Sequence, residues 1–219
     1  MKDNSMPHNQ TAYSNDSVAQ REAFITGKPP RIEALAGDEV VALAQKKTAK
    51  LRMAVDGEST PVAVSEIPEM LLALMCHPDL YESISGVSIQ LMAQGTLSHR
   101  ERELVILRVG WLWQAPYEWG EHVRIAKMVG ISRDEIEAIT QGSSAACWNE
   151  HEAALMKAAE ELHAGAMVGD ATWEVLARAF DDKQLFELLV LIGQFTLVAY
   201  FQNSLRFRLS EGNEGLNAR

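Results

Sequence analysis

The chain has 219 residues, of which 47% are hydrophobic and 23% charged, with a net charge of −10 at pH 7. That composition is globular, and the length suffices for one domain with a substantial core. An acidic surface argues against nucleic acid or anionic membrane as the main partner, and a small-molecule substrate, if anionic, would need a local basic pocket.

Residues 1–30 are polar, with no apolar period. They read as disordered or as an arm laid on a neighbouring subunit, ended by Pro29-Pro30. No apolar h-region follows Met1, so the start does not read as a secretory signal. Residues 31–219 read as a single all-α domain. Residues 38–53 carry a helical pattern with a basic end at Lys46, Lys47, Lys50 and Arg52, which suits the C-terminal dipole. A loop over 57–65 follows. A short helix over 67–76 is broken at His77-Pro78-Asp79, where His77 reads as a turn or cap residue, and another helix covers 80–94.

The stretch 97–130 holds the candidate chemistry. Ser98 and Glu101 have the capping-box spacing, with Leu97 at the staple position. The run 103–113 is apolar around most of its circumference, which marks a buried helix. At 100° per residue, Glu101 and Arg108 share the expected wet edge, while Glu103 falls opposite, in line with Leu107 and Gly110. A carboxylate there costs free energy unless it is paired or protonated. After a turn at Ala115-Pro116, Pro116 opens a second helix that Gly130 stops. Glu118 and His122 are four residues apart, on the face continued by Ile125, Ala126 and Val129. Two carboxylates and an imidazole on dry faces can divide into an acid and a base. The plain alternatives are an ordinary i,i+4 Glu118–His122 pair worth roughly 0.2–0.5 kcal/mol, and a Glu103 satisfied by an arginine or by backbone donors. Tyr117 and Trp119 flank the motif and are candidates to line a substrate pocket.

Beyond it, Ser132 and Glu135 form a second capping box opening a helix to 140. A helix over 148–164 has Ala153, Leu155, Met156, Ala159 and Leu162 as its core stripe, with His151 and His163 as boundary residues. Asp170 caps a helix over 171–180. A long helix from Asp182 or Lys183 to Arg206 is apolar nearly all round, so it is central or lies in a subunit interface. Its apolar core, 188–201, is interrupted by Gln194 and reads as too short and too polar to span a bilayer. Cys76 and Cys147 are far apart and read as buried or semi-buried free thiols in a reducing cytosol. Glu-x-x-x-His with Glu103 offers three oxygen and nitrogen ligands, but the Glu-x-x-His of di-iron bundles is missing, so no metal is expected. No Gly-rich phosphate loop or Walker pattern is present, so no organic cofactor is expected.

The run RERELVILRVGWLWQAPYEWGEHVRIAKMVGIS resembles the carboxymuconolactone decarboxylase family, within the AhpD-like superfamily. The redox branch of that superfamily carries a Glu, eleven residues, then Cys-x-x-Cys-x-x-x-His. Here the Glu matches Glu103 and the His matches His122, while the two Cys positions fall on Ala115 and Glu118. The triplet Tyr117-Glu118-Trp119, with a His three residues on, is similar to the decarboxylase branch. The resemblance covers about residues 68–139, more loosely to Leu209. It implies an AhpD-like helical bundle, a cytoplasmic homo-oligomer (trimer or hexamer), and a cofactor-independent lyase rather than a thiol peroxidase. The implied substrate is a lactone or another intermediate of aromatic-compound breakdown. Glu103, Glu118 and His122 would be catalytic, with His122, held by Glu118, moving the proton and Glu103 orienting the ring or shuttling a second proton. An isomerase, dehydratase or hydrolase on the same scaffold, and a non-catalytic oligomeric binding protein, are the alternatives.

Overall fold

In a computed structural model, which describes residues 13–56 and 61–219, the chain is all-α. The helices are α1 (Asn15–Thr26), α2 (Asp38–Asp56), α3 (Glu69–Leu74), α4 (Pro78–Gln94), α5 (His99–Leu112), α6 (Pro116–Met128), α7 (Arg133–Gln141), α8 (Glu150–Gly165), α9 (Asp170–Ala179) and α10 (Asp182–Leu205). Among the described residues there is no strand. Residues 1–12 of the expected arm, and 57–60 of the expected loop, lie outside the described residues.

The bundle is built round α5, which packs on α6, α7, α8 and α10. Every residue from Arg102 to Leu112 is buried. One side of α5 (Val105, Ile106, Val109, Leu112) meets Leu155, Leu188, Leu191 and Phe195. The other (Leu104, Leu107, Trp111) meets Trp119, Val123, Ile139 and Met156. A smaller cluster of Ala44, Val62, Ile67, Leu71 and Met75 lies beneath α2.

Both expected capping boxes form, and two more open α8 (Asn149 and Glu152) and α10 (Asp181 and Gln184). At α5, Ser98 Oγ accepts from Glu101 N–H at 3.2 Å and Glu101 Oε2 accepts from Ser98 N–H at 2.8 Å. Ser98→Ala removes one half of this exchange. It is expected to lower stability by about 1 kcal/mol, and Ser98→Gly by only a few tenths, read from urea midpoints. His77 caps α4, its Nδ1 accepting from Leu80 N–H. Gly130, at φ +86°, provides the left-handed stop after α6.

Four expectations are corrected. Arg108 is not on a wet edge: it is fully buried, paired with Glu160 at 3.0 Å, and donates to the Ile139 carbonyl. Residues 15–26 are not disordered. Ser14 caps a helix whose buried Val18 and Ile25 stand seven residues apart. This segment lies on its own chain: Tyr13 Oη donates to the Leu112 carbonyl, and Glu22 Oε2 accepts from Leu216 N–H. Two anchors in three turns are too sparse to register as a period. Cys76 and Cys147 are free but exposed, Cys76 between α3 and α4 and Cys147 in the α7–α8 loop. Finally, α10 as a whole has 24 residues and is long and apolar enough to cross a membrane by length and composition; among the described residues no other helix is. It packs against α4, α5, α6 and α9.

Candidate active site

The α5 ridge of Glu103, Leu107 and Gly110 faces α6. At one end Glu103 Oε2 lies 2.7 Å from His122 Nδ1. Glu103 is completely buried, while the His122 side chain keeps 12% of its surface. An ionised carboxylate can only accept, so Nδ1 carries the proton and donates it, and Nε2 holds the free lone pair. The edge-on contact between the His122 and Phe195 rings, 5.1 Å between centroids, fixes the imidazole from the α10 side. Arg102 Nε stands 3.8 Å from Glu103 Oε1, and its Nη1 donates to the Met92 carbonyl at 3.0 Å. This buried guanidinium is the cation nearest to the Glu103 carboxyl on α5 itself.

Glu118 does not hold His122, contrary to the i,i+4 expectation. It is 1% exposed, and neither carboxyl oxygen has a hydrogen-bond partner. It fills the slot left by Gly110, where a Cβ would lie 3.5 Å from Glu118 Oε1. Burial pushes the Glu118 carboxyl well above its ordinary range. The N-terminal dipole of α6 acts the other way, but it offers about 0.3–2 kcal/mol, against several kcal/mol for burying an unpaired ion. Burial outweighs the dipole and favours the protonated form of Glu118. It stands one turn from His122, about 6 Å along the helix axis. The arrangement is therefore a carboxylate-held imidazole base, reachable at its edge, next to a sealed carboxylic acid.

The two candidate pocket-lining residues lie elsewhere. Trp119 is fully buried core, its Nε1 donating to the Ala218 carbonyl at 3.0 Å and its ring tilted against Trp111 at 4.9 Å. Tyr117 turns to the C-terminal segment, with its carbonyl accepting from Asn213 Nδ2. Burial, aided by Glu121, pushes the Tyr117 phenol up to about 12, so it stays neutral. Phe195 and Arg102 are the site residues that sequence reasoning misses. Arg102 had one signal, a cation beside Glu103 on an otherwise apolar helix.

Among the described residues, no group of three His, Cys, Asp or Glu side chains is placed to hold a metal ion. The positions where the redox motif has thiols are Ala115 and Glu118, and neither cysteine lies on α5 or α6.

Residues 78–161 match the carboxymuconolactone decarboxylase family. No curated protein matches the chain. Among solved structures, it is similar to an uncharacterized peroxidase-related protein from Silicibacter sp., at 18% identity and a TM-score of 0.66, covering 85% of this chain and 96% of that one. It is equally similar to the alkylhydroperoxidase AhpD core of an uncharacterized peroxidase-related protein from Ralstonia eutropha, with 18% identity, a TM-score of 0.66 and coverage of 82% and 93%. The debrominase Bmp8 in complex with 2,3,4-tribromopyrrole follows at 15% identity, with a TM-score of 0.66 and coverage of 83% and 92%. At these identities the likeness is one of fold.

Proposed function

We propose that this chain, which has an AhpD-like fold and whose residues 78–161 match the carboxymuconolactone decarboxylase family, is a cofactor-independent acid–base lyase. Its substrate in this reading is a lactone or a related intermediate of aromatic-compound breakdown. The observation that carries the reading is the 2.7 Å contact between buried Glu103 and the partly exposed His122. A carboxylate at Nδ1 stabilises the imidazolium that forms when Nε2 takes a proton.

In a decarboxylation, the bond to the carboxylate carbon breaks and CO₂ leaves. The electron pair spreads into the conjugated lactone carbonyl. A proton must then be added to carbon. His122 takes up a proton from water at Nε2, forming the imidazolium that Glu103 holds, and delivers it to that carbon, which returns the ring to its neutral form. The thiol chemistry of the redox branch has no place here, because Ala115 and Glu118 occupy the cysteine positions.

The same base serves a second reading, an isomerase, dehydratase or hydrolase on a related substrate. A mass-spectrometric screen of lactones and aromatic-catabolism acids separates these outcomes. Loss of CO₂ is the expected result. A gain or loss of water, or an unchanged mass, assigns the site to the second reading. No turnover of any compound favours the third, a binding protein.

We further propose a homo-oligomer, a trimer or hexamer. Phe186 (69% exposed), Leu197 (39%) and Tyr200 (48%) on α10 support self-association. Sedimentation equilibrium is expected to give a multiple of the 24.3 kDa chain mass.

A further inference from the structure

Helices α2, α3, α4 and α10 enclose an apolar cleft of about 430 Å³ that shares no residue with Glu103, Glu118 or His122. Met70, Leu74, Ile84, Val198 and Phe201 supply most of its apolar wall. The volume falls in the range of small-ligand sites.

The cleft has a charged rim. Lys47 and Lys50, three residues apart on α2, both reach Glu82 on α4, Lys50 at 2.6 Å. Two ammonium groups against one carboxylate leave one positive charge uncompensated, on a chain whose net charge is −10. The Lys47 side chain is only 13% exposed, its stem laid along the wall. His77 lines the same rim. Its Nδ1 accepts from Leu80 N–H, so the neutral ring carries its proton on Nε2 as a second kind of donor.

The wall also contains an organised polar group. Gln194, in the middle of the apolar run of α10, is 7% exposed. Its Nε2 donates to Ser88 Oγ at 2.9 Å and to the Ile84 carbonyl at 3.3 Å. A buried amide is costly unless it is satisfied. This one is locked across α4 and α10 and stiffens the wall where the two helices flank the cleft.

We propose that this cleft is a binding site for an amphipathic monocarboxylate: the apolar body of the ligand fills the cleft, and its carboxylate sits against Lys47, Lys50 and His77. A single negative charge matches the single uncompensated positive one. A dianion such as a phosphate monoester would place unneutralised charge beside Glu82, and a cation would meet the ammonium groups.

Isothermal titration of the full chain with octanoate, octan-1-ol and octyltrimethylammonium tests this. Octanoate is expected to bind with one site per chain, about tenfold more tightly than octan-1-ol, the worth of one charge-assisted hydrogen bond. Octyltrimethylammonium is expected not to bind. In Lys47→Met/Lys50→Met, octanoate affinity should fall to that of octan-1-ol, with the alcohol unaffected. Ser88→Trp should fill the cleft and abolish both. Val198→Trp, approaching from α10, replaces it if that variant does not fold, as judged by circular dichroism. Equal binding of the carboxylate and the ammonium, or binding that survives the tryptophan, overturns the proposal. So does a tryptophan variant that loses self-association in a chain that binds no octanoate, which assigns the cleft to a second copy.

Discussion

Replacing His122 with glutamine is expected to slow turnover of the substrate found by the mass screen by about 10²–10⁴-fold, the usual loss for a positioned acid or base. Glutamine keeps an N–H to offer Glu103 but has no group that takes up a proton near neutral pH. Alanine is the poorer choice. It leaves the Glu103 carboxylate, fully buried, without its 2.7 Å partner, which costs about 3–5 kcal/mol and confuses lost chemistry with lost fold. Glu103→Gln is expected to have an effect of similar size for another reason. An amide can donate to Nδ1, which moves the imidazole proton to Nε2 and removes the lone pair from the reacting edge. Steady-state rates, with melting curves to confirm the fold, check both. Wild-type rates in His122→Gln and Glu118→Gln together would sink the acid–base reading.

The second large effect is a slope of stability against pH carried by Glu118. Its folded carboxyl titrates well above the ordinary value because it is buried without a partner. Between the unfolded and folded values the native state therefore holds one more proton than the unfolded chain. The stability this contributes is fully present below the unfolded carboxyl range and is lost as pH rises through the folded value. The limiting slope is about 1.4 kcal/mol per pH unit. Glu118→Gln has no proton to lose. The difference between wild type and variant should change with pH in favour of the variant as pH rises. Urea midpoints of both proteins between pH 5 and pH 8 measure it. Parallel curves would mean that Glu118 is already ionised in the folded protein.

Local signals foretold much of this architecture. Ser98 with Glu101, and Ser132 with Glu135, mark helix starts that the structure keeps, and the heptad spacing of Glu103 and Gly110 gives the face that meets α6. What stayed hidden depends on partners remote in sequence. Arg108 looks like a solvent residue until Glu160, 52 positions away, closes on it. Trp119 looks available to a ligand until the Ala218 carbonyl, 99 positions away, accepts its N–H. The partner of His122 was misjudged on the same grounds. Helical spacing favours Glu118, four residues away, but packing across the hairpin brings Glu103 to the ring and leaves Glu118 in the gap at Gly110. Gln114, at φ +47° just before the α6 turn, carries no glycine to announce its left-handed conformation.

The contacts among Glu22, Leu216, Ala218 and Trp119 fasten both extremities of the described chain to its centre. Such a clasp makes the periphery and the middle one cooperative unfolding unit. Amide protons on α1 should then exchange with deuterium only as slowly or as fast as those of α6, rather than fraying first. A shortened C-terminus would loosen α1 and shift the tryptophan emission at the same time.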